Sequence, residues 1–158
     1  MNASEIYAGS DGAATRAFYD ILEHRGPLGI VAMNLFRAQK CSSRAKRYRG
    51  GIRGVGSYRS LSYSRKGWSL EQLSKTLARY PELGIRFGWK KDPKTRGAEW
   101  VMYVDLPEGQ VSFHSLARYA GPDYAGDWDG QHKSEERILH FCDQVFHAPA
   151  EHQQCLPL

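Results

Sequence analysis

The chain has 158 residues, 41% of them apolar and 25% charged, with 22 Lys and Arg against 17 Asp and Glu and a formal net charge of +5. That length suits one domain, burying about two thirds of the surface its unfolded form exposes, and the composition excludes a disordered chain. Apolar runs such as Gly29-Ile30-Val31-Ala32-Met33 fall far short of a bilayer span and MNASEIYAGSDG lacks a signal-peptide pattern, so the expected compartment is the cytoplasm, with no membrane partner.

The first nine residues carry no periodic apolar pattern and are expected to be a short flexible end, as is 148–158. Ala14, Phe18, Ile21 and Leu22 then recur at i, i+4, i+7 and i+8. This predicts an amphipathic helix from Ala13 to His24, capped by Ser10 or Asp11 and stopped by Gly26-Pro27. The stretch LGIVAMNLFRAQKCSSRAK fits two periods. Leu28, Val31, Leu35 and Phe36 keep helical spacing, whereas Val31, Met33 and Leu35 alternate as a strand would. Pro27 at a first helical position and a run of good helix formers favour the helix. A further helix is expected from about Leu70 to Tyr80, with Ser69 and Gln72 as a capping box, Trp68 stapled on Leu73, and Pro81 as its stop.

The period then changes to two. Ile85, Phe87 and Trp89 alternate with Arg86, Gly88 and Lys90 over a strand at about 84–90. EWVMYVDL and QVSFH flank Pro107-Glu108-Gly109 as a hairpin at about 99–114, with Gly109 at the left-handed position. A three-residue loop pairs Leu106 with Gln110 and Met102 with His114. The segment from Ser115 to Lys133 mixes glycines, Pro122, aspartates and aromatics, and reads as an ordered loop. Ser134 caps a last helix with Glu135 and Glu136 in its first turn and Ile138, Phe141, Cys142, Val145 and Phe146 on one face. The expected fold is therefore α+β, one compact domain over 1–158 in which a small antiparallel sheet packs against three or four helices.

Charge is distributed unevenly along this chain. Between Glu23 and Glu71 lie 47 residues without one carboxylate, yet with eleven Lys and Arg, half of the chain's total of 22. In the densest part Arg44, Lys46, Arg47, Arg49, Arg53, Arg59, Arg65 and Lys66 alternate with Tyr48, Tyr58, Tyr63 and Trp68. Phosphate recognition uses this mixture: Arg forks grip phosphate oxygens, glycine lets the backbone approach, and aromatic faces stack on bases. Neither GxxxxGK[ST] nor a strand-associated GxGxxG is present, so no standard nucleotide loop is implied. The plain alternative is a solvated basic face neutralised by acids from the rest of the fold.

Candidate chemistry lies further along. His114 is followed by Asp123, Asp127 and Asp129 within GPDYAGDWDG, and carboxylates so spaced suit a hard cation such as magnesium. Beside a basic groove they would support metal-assisted phosphodiester cleavage, with His114 as an alternative general base. The bland reading is turn chemistry, since Asp beside Gly is ordinary in loops. In the expected register Asp105 falls on the face opposite His114. His140, Cys142, His147, His152 and Cys155 cluster in sequence but fit no zinc spacing, and Cys41 has no nucleophile partner at a diagnostic spacing. With Cys142 and Cys155, Cys41 makes three widely spaced cysteines, which fit free thiols better than a disulfide framework.

The functional expectation is a nucleic-acid-binding protein, for DNA or RNA or another polyanion, acting through residues 44–68 with cleavage at His114 and the aspartates as an added activity. Two other classes fit the same features. One is a non-enzymatic modulator that docks an acidic protein partner. The other is a small enzyme for a phosphorylated nucleotide, with a pocket where the glycines at 50–56 meet the hairpin.

Overall fold

The computed structural model describes residues 1–9, 11–47, 56–92, 100–115, 122–128 and 133–148, with side chains at all of these except 44–47, 56–64 and 115. Among them are five helices and one three-stranded antiparallel sheet, an α+β fold. The helices are α1 (Ala3–Ala8), α2 (Gly12–Glu23), α3 (Pro27–Arg47), α4 (Gly56–Arg79) and α5 (Ser134–Phe146). The strands β1 (Phe87–Lys91), β2 (Trp100–Leu106) and β3 (Gly109–Ser115) lie in that order across the sheet.

At the centre is α3. Pro27 opens it without wasting a donor, and Val31, Ala32, Met33, Leu35, Phe36 and Ala38 are all buried. A helix apolar round most of its girth must be covered on most sides, and α2, α4 and α5 all pack on it. Helical spacing therefore wins over the strand alternation that the same residues permit. At the crossing with α2, a Cβ on Gly29 would overlap the Leu22 carbonyl oxygen, so only glycine allows that approach.

Asp11 caps α2 by accepting from the backbone N–H groups of Ala13 and Ala14, at 2.9 and 3.3 Å. The amino-terminal residues are also helical. Asn2 accepts from the Glu5 backbone at 2.9 Å and its own amide reaches the Glu5 carboxylate at 3.0 Å, a reciprocal cap. The Ala3 amide donates to Asp143 of α5 at 2.6 Å, and Lys40 of α3 donates to the carbonyls of Ile6, Tyr7 and Gly9 at the other end of α1.

The fourth helix differs from expectation. It begins at Gly56, not near Leu70, so Ser69 and Trp68 sit in its interior. Ser69 is buried and caps nothing, and Trp68 is 51% exposed instead of stapled onto Leu73. The apolar stripe of Leu70, Leu73 and Leu77 starts at residue 70 in sequence, but once that part is nucleated each preceding turn adds a hydrogen bond at small cost. The whole helix α4 packs against α3 more extensively than against any other element.

Both α4 and α5 contact β3, and one sheet face, with Trp89, Met102, Val104, Leu106, Val111 and Phe113, joins the helices in a single core. The outer edge of β3 is closed by α5: Ser134 Oγ accepts from the Ser112 amide at 3.1 Å and Arg137 donates to the Gln110 carbonyl at 2.5 Å. Covering it removes an edge that would otherwise invite pairing with another chain. The outer edge of β1 is met by the 122–128 segment, part of the long loop, through a parallel bridge of Trp89 with Asp123. A Cβ on Gly88 would stand 2.7 Å from the Tyr124 Cα, so the segment can lie this close only over glycine.

The hairpin register is one residue away from the expected one. Leu106 pairs with Gly109, Asp105 with Gln110 and Val101 with His114. Gly109, at φ 136°, enters the ladder instead of the loop, leaving Pro107-Glu108 as a two-residue turn. With a side-chain period of two, that single step brings Asp105 and His114 to the same face of the sheet.

Candidate nucleic-acid interface

The acid-free interval spans all of α3, the connection after it and α4 as far as Leu70. The amino-terminal end of α3 and the carboxy-terminal end of α4 line one groove, so the two helices run antiparallel and bring the ends of the interval together. Arg44, Lys46 and Arg47 lie on the last turns of α3, and Tyr58, Arg59 and Tyr63 on the first turns of α4. Arg49 and Arg53, with Gly50, Gly51 and Gly54 of the expected nucleotide pocket, lie outside the described residues.

Where α2, α3, α4 and the end of α1 meet there is a cleft of about 430 Å³, lined by residues that include Gly12, Tyr19, Arg37, Lys40, Arg65 and Trp68. Among the described residues none that lines it is acidic. The Arg37 guanidinium lies 4.4 Å from the centre of the Tyr19 ring and 5.9 Å from that of Trp68. Stacking of this kind uses the guanidinium face and leaves its N–H edge for an anion. Lys40 is committed, since its ammonium donates to Tyr7 O at 2.6 Å and to two neighbouring carbonyls. It adds positive charge to the cleft while fixing α1. Arg65 is exposed, and no described carboxylate pairs with it or with Arg37.

Of the basic residues singled out by sequence, Arg65 lines this cleft but Lys66 does not. Lys66 is 6% exposed, on the buried stripe that continues through Leu70, Leu73 and Leu77, and so leaves the set of surface cations. Arg37, Lys40 and Tyr19 also line the cleft, although they lie outside 44–68. Their signal was present: Arg37, Lys40, Arg44 and Arg47 recur at steps of three and four, one stripe of a helix.

The candidate catalytic residues are arranged differently. His114 is exposed on β3 opposite Val101, and Asp123 sits against Trp89 on the outer edge of β1. Asp127 is held by its backbone, whose carbonyl accepts from Gln110 at 2.7 Å. Gln110 and His114 are four strand residues apart, roughly 13 Å. Asp129 lies outside the described residues, and among the described ones no cluster of three His, Cys, Asp or Glu is arranged to hold a metal ion. His140 and His147 are exposed and Cys142 is buried, so these three do not converge. His152 and Cys155 lie outside the described residues.

Asp105 shares the His114 face but is fully engaged. Its Oδ2 accepts from Arg86 Nε and Nη2 at 3.1 and 2.9 Å. Its Oδ1 accepts from the Tyr124 hydroxyl at 2.5 Å and the Gln110 amide at 3.0 Å. Partial burial works against its charge, yet the hydrogen bonds from Tyr124, Gln110 and Arg86 outweigh it and hold the carboxyl below its ordinary range. Burial, reinforced by Asp105, pushes the Tyr124 hydroxyl up to about 12. This network pins the 122–128 segment over the sheet, where Tyr124 and Trp128 pack on Tyr103 with ring centres 5.1 and 5.9 Å away. No helix among the described residues is long and apolar enough to cross a membrane. No protein-family model, curated protein or solved structure matches this chain.

Proposed function

We propose that this chain binds nucleic acid through the antiparallel pair α3 and α4, as a binding protein. The observation that carries the reading is the cleft in which Arg37 and Arg65, free of described carboxylate partners, meet Tyr19 and an exposed Trp68, with no acid among the described lining residues. Cations beside aromatic faces are what a phosphodiester chain with bases asks of a protein. An acidic protein partner would engage the same cations but gives no role to an indole set beside them in a recess. The separation of His114 from Asp127 favours binding over cleavage in this reading.

The test is a salt titration of the full chain against labelled DNA and RNA. Binding tightens as salt falls, and each phosphate neutralised contributes about 0.7–0.9 to the slope of log K against log salt. Replacing both Arg37 and Arg65 by Ala lowers that slope by about 1.5 and weakens unrelated sequences alike. An unchanged slope and affinity in the double variant would overturn the reading.

A further inference from the structure

We infer that the cleft takes one unpaired nucleotide of a single strand, its base stacked on Trp68 and its phosphate held by Arg37 and Arg65. This rests on the reading above and narrows it from nucleic acid in general to single-stranded chains. Trp68 is 51% exposed on the cleft wall, with the Arg37 guanidinium 5.9 Å from its ring centre, so about half of the indole stays open to a ligand. A cleft of about 430 Å³ is of the size that holds a small ligand. A base within a duplex has both faces covered by its neighbours and could not reach an aromatic wall in a recess, whereas an unpaired base offers its face freely.

The cations fit the phosphate of the same unit. The Arg37 guanidinium lies over the Tyr19 ring, 4.4 Å from its centre, which holds the positive charge at the cleft wall. Arg65 is one helical turn before Trp68 on α4, so guanidinium and indole present to the same side. Lys40, tied to the end of α1, adds charge but is not offered as a ligand. Gly12 supplies open space at the mouth, since a Cβ there would meet nothing within 4 Å.

The experiment compares a labelled single-stranded 12-mer, the same sequence as a duplex, and a free 5′-mononucleotide, by anisotropy and by tryptophan fluorescence. Wild type, Trp68→Ala, Trp68→Phe and Arg37→Ala full chains are used, each shown folded by circular dichroism. The single strand binds about tenfold or more tighter than the duplex and quenches tryptophan emission. Trp68→Ala weakens it by about tenfold, and Trp68→Phe restores most of the loss. Equal binding of duplex and single strand with no effect of Trp68→Ala overturns the cleft inference and leaves the basic-surface reading standing. A mononucleotide that binds as tightly as the 12-mer puts a small ligand there instead and overturns the single strand. No binding of either polymer at low salt overturns both readings.

Discussion

Asp105 stands at the end of β2 with four donor groups on its two oxygens, from Arg86, Tyr124 and Gln110. Removing the carboxylate takes the acceptor from the part-buried Tyr124 hydroxyl and from Arg86, while the Gln110 amide keeps the Asp127 carbonyl. Asp105→Ala should therefore lower stability by about 1–3 kcal/mol. Because the folded carboxyl titrates below its ordinary 3.8, its contribution is fully present above that value and is lost as pH falls through the folded one. Urea unfolding of wild type and Asp105→Asn from pH 7 down to pH 2 should show a gap that closes at the acid end. A gap of constant size would mean that shape, and not charge, is what Asp105 supplies. A single position can also decide what a strand pattern leaves open. The alternation around Asp105 was legible, but one residue of hairpin register decided its face, and Gly109 could serve either as a loop residue or as a paired one. Lys66 illustrates the same limit. Its charge suggested a surface position, and only the backward extension of α4 placed it on a buried stripe.

Packing between elements explains which of them the sequence revealed. Both α2 and α5 carry a clear apolar stripe and lie within a residue or two of their expected positions, but only α2 has its expected cap. Ser134 is the first residue of α5, which has no side-chain cap, and its hydroxyl bonds the Ser112 backbone instead. Helix α1 has six residues, too few for a periodic signal, so its only mark was the Asn2 to Glu5 capping pair. The amino-terminal part of α4 was illegible because its sequence, rich in Ser, Arg and Gly, carries no apolar stripe of its own. Gly29 marks the tightest of these contacts. In Gly29→Ala the new methyl would collide with Leu22 O, which belongs to the backbone of α2 and cannot rotate away. The expected loss is about 3 kcal/mol, or roughly 6–12 °C in melting temperature for a chain of this size. Gly12→Ala is the matching control, since its methyl meets open space in the first turn of α2; it should be neutral or slightly stabilising. Equal melting temperatures for the two variants would show that α2 can shift along α3 without penalty.

For the molecule as a whole, the eleven basic residues were legible as a run, but their function depends on which ones the fold leaves facing outward. The cleft draws on three separate helices and the end of a fourth, so no linear motif could describe it. Those helices are held by one core to which all five helices and all three strands contribute, which predicts a single cooperative unfolding unit. Cys142 can report on this. Its thiol is completely buried where α5 meets α3, donating to the Ala32 carbonyl at 3.3 Å, and burial pushes its ionisation far above the usual range. A chain with Cys41 and Cys155 replaced by Ser keeps Cys142 as its one thiol. In native buffer a thiol reagent should label it only through global opening, with the same free energy and urea dependence as loss of helical circular dichroism. Labelling through an opening several kcal/mol cheaper would mean that α5 detaches by itself. The sheet, whose β3 edge α5 covers, would then be a separate unit from the helices that form the cleft.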